Sequence, residues 1–136
     1  MLYPIIKKLT RIPNITRGGC GIATYVMYMK AKEIYPDKDI KIIYSYLYEG
    51  ELEDNRPIIE SNDLQGVHSP AHCYIKVDGD RFDVTDNEEW NYNIIEVQVD
   101  FLKKSIKNAS WNPRFDRRYV KDIEKFSSVD LNFVEV

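Results

Sequence analysis

The clearest helical pattern in the chain follows a pair of glycines. Ile22, Val26 and Met29 recur at spacings of three and four residues, and Lys30, Lys32 and Glu33 face outwards, as on a helix that buries one face. Gly18 and Gly19 interrupt the chain before Cys20, and Pro36 disfavours helical backbone in the preceding residue, Tyr35. We therefore predict a helix from Cys20 to Tyr35, the first element that the pattern defines.

Alternating apolar and polar positions predict strands further along the chain. The segment 39–48 carries β-branched and aromatic residues at a period of two, which is typical of strands, and we predict another strand over 94–99. Between them, the segment 72–85 contains Asp78-Gly79, a favoured two-residue turn of a β-hairpin. The pattern thus predicts a strand, a hairpin and a further strand, following the helix.

The hairpin register separates an apolar face from a polar one. With Asp78-Gly79 as the turn, Ile75 faces Phe82 and Tyr74 faces Asp83, and successive side chains alternate between the faces. The face predicted to join the core carries Cys73, Ile75, Val77, Phe82 and Val84. The other face carries His72, Tyr74, Lys76, Arg81, Asp83 and Thr85.

The remaining pattern is weaker and completes the fold class. We predict short helices over 100–108 and 114–126 and an edge strand over 131–136. The long polar segment 49–71 is either a lid beside the site or a plain insertion. A helix followed by mostly antiparallel strands gives an α+β fold, and we expect the whole chain, residues 1–136, to form a single domain.

Composition narrows the choice of partners. The net charge is −3, so we expect no nucleic-acid partner. The basic residues between Arg114 and Lys121 are interspersed with acidic ones, which favours a solvated helix face. No apolar run is long enough for a membrane span, and the first residues do not match a signal peptide. We therefore expect a cytoplasmic protein without a membrane partner, and the abundance of Lys, Ile, Asn and Tyr suggests a bacterial or phage origin.

Cys20 is a candidate nucleophile because of its position. A helix N-terminus provides partial positive charge and free N–H groups, which favour the thiolate that reacts. The backbone N–H of Cys20 can also stabilise an oxyanion, and the glycines before it allow a substrate backbone to approach. A buried cysteine that merely begins a helix is the alternative interpretation.

His72 and Asp83 supply the base that such a nucleophile needs. The register makes them diagonal neighbours on one face, about 7–8 Å apart at the backbone, so their side chains can meet. A carboxylate that orients an imidazole fixes which ring nitrogen faces the thiol. Asp86 is a rival to Asp83, although the register places it on the core side unless the strand has already ended.

These residues together resemble the papain-like superfamily, and within it the transglutaminase-like and small bacterial or phage cysteine-peptidase branches. The resemblance covers 18–86 and is carried by Gly18-Gly19-Cys20-Gly21-Ile22-Ala23, His72-Cys73-Tyr74-Ile75-Lys76-Val77 and Phe82-Asp83-Val84-Thr85. It implies a papain-like core, in which the nucleophile helix packs on a small antiparallel sheet. It also implies a Cys20–His72–Asp83 triad and Asn14, six residues before the cysteine, as an oxyanion donor.

Three other interpretations compete with this one. Cys20, His68, His72 and Cys73 are zinc-ligand types, but Pro70 breaks the spacing and Cys73 points away from His72. A disulfide between the two cysteines conflicts with a cytoplasmic setting. A catalytically inert papain-like binding module is the third, because the tyrosines at 44, 46 and 48 form a stripe that could contact a protein partner.

We therefore expect a cysteine hydrolase of the thiol-protease type that uses the triad without a metal or other cofactor. Its substrate is expected to be a peptide or protein, and hydrolysis of a peptide or amide bond is the favoured reaction. Glutamine deamidation and transglutamination share the same acyl-enzyme chemistry, and the sequence does not choose among them.

Overall fold

The computed structural model describes residues 1–45, 58–59, 72–85, 94–108 and 114–134, and these form an α+β fold. The helices in this part of the chain are α1 (Tyr3–Thr10), α2 (Cys20–Ile34), α3 (Val99–Asn108) and α4 (Tyr119–Ser127). The strands are β1 (Ile40–Ser45), β2 (Ile58–Ile59), β3 (His72–Val77), β4 (Asp80–Phe82) and β5 (Ile94–Val97). The predicted α+β class is therefore confirmed.

The strands form one sheet in the order β2-β5-β1-β3-β4. The pairs β5–β1, β1–β3 and β3–β4 are antiparallel, and the two-residue β2 pairs with β5 in parallel. Ile75 pairs with Phe82 and Val77 with Asp80, which confirms the predicted hairpin register. Asp78 and Gly79 both have positive φ, 48° and 87°, as a two-residue hairpin turn requires.

Helix α2 packs against one face of this sheet and contributes the largest share of the helical core. Its residues from Cys20 to Met27 are all buried. On the sheet, Cys73, Ile75, Val77 and Val84 are buried and Phe82 packs partly buried against them, so the predicted apolar face is confirmed. The opposite face is less exposed than expected at one end, because His72 and Tyr74 are also buried.

The first helix, α1, was not predicted. Its signals are a proline in the first turn and two lysines in the last turn, positions that favour a helix start and complement the negative end of the helix dipole. The helix buries Leu9, and Leu2 at its N-cap is buried too. These two residues anchor a segment whose other side chains are mostly exposed.

Helix α4 begins at Tyr119 rather than at Arg114 as predicted. A turn precedes it, in which the Asp116 carboxylate accepts the N–H of Arg118 at 2.9 Å and the Asp116 carbonyl accepts that of Tyr119 at 3.1 Å. A side chain that binds nearby backbone in this way favours a turn over continued helix. The predicted helix over 100–108 is confirmed, and it begins one residue earlier at Val99.

The predicted edge strand from Leu131 is wrong over residues 131–134. The N–H of Leu131 donates to Glu124 Oε2 at 2.8 Å, and the N–H of Val134 donates to the Leu131 carbonyl at 3.0 Å. These local bonds make a turn, which buries the apolar side chains of both residues without a ladder partner. No helix in the described ranges combines the length and apolar character that a bilayer crossing requires.

Candidate active site

Cys20 is the first residue of α2, and two glycines set the backbone that leads into it. Gly18 has φ 111°, a conformation that other residues rarely adopt. A Cβ at Gly19 would lie 2.9 Å from the Ile15 carbonyl oxygen and 2.8 Å from Phe115 Cδ1. The space on this side of Gly19 is therefore filled by the protein itself, and our expectation that the two glycines let a substrate backbone approach stays a prediction.

The first turn of α2 leaves donors available around the sulfur. The first bond of the helix joins the N–H of Ala23 to the Gly19 carbonyl at 2.9 Å, so the preceding amides have no acceptor within the helix. No side chain caps this end. The Cys20 side chain thus sits at the positive end of the helix dipole, with only 3% of the residue exposed.

His72 and Asp83 meet as the hairpin register predicts. His72 Nε2 lies 2.7 Å from Asp83 Oδ1 and 2.8 Å from Oδ2, and the two side chains are 2% and 4% exposed. Because Nε2 faces the carboxylate, Nδ1 is the ring nitrogen left for Cys20. The His72 and Cys20 side chains are close enough for each to shift the pKa of the other.

Asp83 is held by more partners than the histidine alone. Its Oδ1 accepts the N–H of Val84 at 2.7 Å, and its Oδ2 accepts Arg81 Nη2–H at 2.6 Å. The Arg81 guanidinium in turn lies over the Tyr74 ring, 4.3 Å from its centroid. These contacts fix the carboxylate, and through it the His72 ring, so the imidazole is oriented before any ligand binds.

The environment of Cys20 favours its thiolate. A hydrogen bond from the Cys73 side chain lowers the pKa of Cys20 most, burial opposes it, and the hydrogen bond and charge of His72 lower it further. The backbone of Cys73 donates another hydrogen bond, and the resulting pKa is about 5. A thiol with this pKa is ionised at neutral pH.

His72 is correspondingly stabilised as the cation. Burial lowers the pKa of His72, but the hydrogen bonds with Asp83 and Cys20, and the charges of both groups, raise it to about 9. Both shifts therefore favour the thiolate and the imidazolium over the neutral thiol and imidazole. This is the ionisation state of an activated Cys–His nucleophile.

Cys73 and Arg81 are the site residues that sequence reasoning missed. Cys73 was interpreted as a small core residue only; it is fully buried, but it also lowers the pKa of Cys20. Its own pKa is raised well above the ordinary value, mainly by burial and then by the neighbouring Cys20. The available signals were the adjacency of Cys73 to His72 and the position of Arg81 on the same hairpin face as Asp83.

Asn14 occupies a turn before α2. Its φ is 59°, its carbonyl accepts the N–H of Arg17 at 2.9 Å, and its side chain is exposed. The oxyanion role of Asn14 stays a prediction. Asp86, His68 and nearly all of the segment 49–71 lie outside the described residues.

The described residues contain no cluster of three or more His, Cys, Asp or Glu side chains that could hold a metal ion. Cys20 and Cys73 are both free thiols. The site can therefore present a buried thiolate, an oriented imidazolium and backbone donors at a helix start to one reacting atom.

Comparison of the chain with protein-family models, with curated proteins and with solved structures returned no match.

Proposed function

We propose that the protein is a thiol-dependent acyl-transfer enzyme, and that it hydrolyses a peptide or amide bond in a peptide or protein substrate. The observation that supports this most is the arrangement of His72, which binds Asp83 through Nε2 and whose pKa is raised by the neighbouring Cys20. That arrangement provides a nucleophile, a base and an orienting group in hydrogen-bonded sequence.

Acylation begins with attack of the Cys20 thiolate on the carbonyl carbon. An S–C bond forms, the carbonyl oxygen becomes an oxyanion, and the Cys20 N–H at the start of α2 donates a hydrogen bond to it. His72 gives its Nδ1 proton to the leaving nitrogen as the C–N bond breaks. The products of this half are a thioester on Cys20, a free amine and a neutral imidazole.

Deacylation reverses the roles. Neutral His72 takes a proton from water at Nδ1 while the water oxygen attacks the thioester carbon. The S–C bond then breaks, the carboxylic acid leaves, and the thiolate–imidazolium pair is restored. Asp83 stays hydrogen-bonded to Nε2 throughout, so the ring does not need to turn between the halves.

Deamidation and transglutamination follow the same first half. They differ only in using the side-chain amide of glutamine as the acyl donor, and in whether water or an amine enters second. The likeness to transglutaminase-like and bacterial or phage cysteine-peptidase sequences rests on the segments around Cys20, His72 and Asp83, and it supports thiol acyl transfer without choosing among these reactions.

A binding module is the second candidate, and the burial of the sulfur favours it. Cys20 is only 3% exposed. Catalysis requires a path by which a substrate carbonyl reaches the sulfur, whereas a structural thiol requires no such path. The two functions differ in one observable. An enzyme transfers an acyl group from Cys20 to water repeatedly, whereas a binding module does not.

An activated ester tests the proposal. With p-nitrophenyl acetate, we expect acylation of Cys20, detected by mass spectrometry, and continued release of p-nitrophenolate. Cys20→Ser and His72→Ala should reduce turnover by at least about 100-fold, the typical contribution of a positioned acid–base, while Asp116→Ala should not. Release no faster than with a free thiol, with no effect of His72→Ala, would favour the binding module.

A further inference from the structure

Tyr74 lies between the two side chains that share the Asp83 carboxylate. It follows His72 by two residues on β3, so the two side chains lie on the same face of the sheet. Arg81 pairs across the hairpin with Lys76, the next residue of that face, so it lies on the other side of Tyr74 along the strand. The Tyr74 side chain is fully buried, and its row separates that of the imidazole from that of the guanidinium.

These four side chains form a closed cycle of contacts. Asp83 Oδ1 lies 2.7 Å from His72 Nε2, and Asp83 Oδ2 accepts Arg81 Nη2–H at 2.6 Å. The Arg81 guanidinium lies 4.3 Å from the centroid of the Tyr74 ring. The His72 and Tyr74 rings are stacked, with centroids 6.2 Å apart and planes inclined by 30°. The imidazole is therefore held at Nε2 by the carboxylate and on one face by the tyrosine.

We infer that Tyr74 is a positioning residue for the proposed reaction, and that its ring holds the His72 imidazole where Nε2 binds Asp83 and Nδ1 is left for the reacting groups. The torsion that turns an imidazole about its Cβ–Cγ bond has broad minima, and a carboxylate accepts hydrogen bonds over a wide range of directions. The hydrogen bond alone therefore permits the ring to twist, whereas a stacked neighbour blocks the space that a twisting ring would sweep through. This inference rests on the proposed function, because the orientation matters only if His72 transfers protons.

Two substitutions separate the ring of Tyr74 from the space that it fills. Tyr74→Met occupies much of the same space with a flexible side chain but has no flat face, whereas Tyr74→Phe keeps the face. Tyr35→Met is the matched control, because the Lys38 ammonium lies 4.6 Å from the Tyr35 ring centroid. Tyr35 follows the last residue of α2, at the opposite end of that helix from the proposed nucleophile.

The first measurement is exchange of the proton between His72 Nε2 and Asp83 with water, followed by NMR. The chain has two histidines, so His72→Ala assigns the signal. In Tyr74→Met, we expect exchange to be about two- to tenfold faster, the range that loss of an aromatic pair implies. Tyr74→Phe and Tyr35→Met should stay close to the unchanged protein. Release of p-nitrophenolate from p-nitrophenyl acetate should fall by a similar factor in Tyr74→Met and recover in Tyr74→Phe.

Equal exchange rates in Tyr74→Met and Tyr74→Phe would overturn the inference, because the flat ring would then make no difference. The absence of nuclear Overhauser contacts between the His72 and Tyr74 ring protons in the unchanged protein would also overturn it, and that result needs no variant to fold. Circular dichroism and urea unfolding establish that each variant is folded. Ester turnover is separate: protection that depends on the Tyr74 ring in a protein without turnover would defeat the proposed function but not the orienting effect of the ring.

Discussion

Two Arg–Asp pairs in this molecule have nearly the same contact geometry and very different surroundings. Arg81 Nη2 lies 2.6 Å from Asp83 Oδ2 near the site, and Arg118 Nη2 lies 2.8 Å from Asp116 Oδ2 before α4. In each pair the residues are two positions apart. The side chains of Asp83 and Arg81 are 4% and 21% exposed, whereas those of Asp116 and Arg118 are 38% and 86% exposed.

The difference teaches that the distance between charged atoms does not determine what a pair does. Asp116 has Arg118 and water as alternatives, and such surface pairs contribute little to stability. Asp83 also binds His72 and the Val84 amide, so its removal would leave a buried cation without its counter-charge. The Arg118–Asp116 pair shapes a turn, and the Arg81–Asp83 pair orients a side chain of the proposed active site.

The largest expected effect separates the two aspartates. Asp83→Ala should lower the free energy of unfolding by about 3–5 kcal/mol, the usual cost of removing one partner of a buried pair. Asp116→Ala should leave the urea midpoint nearly unchanged, because that carboxylate is solvated in the folded and in the unfolded protein. Equal shifts of the midpoint in the two variants would show that burial does not distinguish the pairs.

A smaller effect should appear in the pH dependence of stability. The pKa of His72 is about 9 in the folded protein and 6.5 for an ordinary histidine, so protonated His72 contributes stability fully below about pH 6.5. That contribution is lost as pH rises through about 9. The stability advantage of the unchanged protein over Asp83→Ala should therefore shrink from pH 6.5 to pH 9 in urea unfolding.

The control variant for that experiment is Asp116→Ala. Its free energy of unfolding should differ from that of the unchanged protein by the same amount over this pH range, because no histidine contacts Asp116 among the described residues. An advantage over Asp83→Ala that grew towards pH 9 would have the wrong sign for a histidine stabilised as the cation.

The smallest effect concerns the two arginines. Arg81→Ala should cost about 1 kcal/mol, because Arg81 is partly exposed and its loss removes a charge-assisted bond and the contact with Tyr74 but leaves Asp83 bound to His72. Arg118→Ala should have no measurable effect on the urea midpoint. A cost for Arg81→Ala as large as that for Asp83→Ala would mean that the arginine, not the histidine, is the main partner of the carboxylate.

Local signals account for the parts of the fold that the sequence predicted. The turn at Asp78-Gly79 determines which residues of the hairpin face each other, and strict alternation then places His72 and Asp83 together. The start of α2 is equally local, since Gly18 needs a positive φ and Gly19 allows close contact with Ile15 and Phe115. No long-range information was needed for these features.

Some errors had local causes, because α1 carries its own helix signals and Asp116 binds the backbone two residues on, whereas others depended on contacts between elements. Leu131 has the apolar character of a strand residue, but a hydrogen bond to Glu124 on α4 draws it into a turn. The second role of Cys73 depends on how α2 crosses β3, which neither segment encodes alone. Alternation correctly placed Cys73 on the core face but gave no sign that Cys20 lies on that side as well.

The most direct test of the central claim is the pH profile of Cys20 alkylation in the unchanged protein and in His72→Ala. We expect a midpoint near pH 5 in the unchanged protein, and a higher one in His72→Ala, although still below that of a free thiol because the effect of Cys73 on the Cys20 pKa remains. Cys73 itself should stay unlabelled across this range. A Cys20 midpoint near that of a free thiol, unaffected by the loss of His72, would contradict the claim that these two residues form an activated nucleophile.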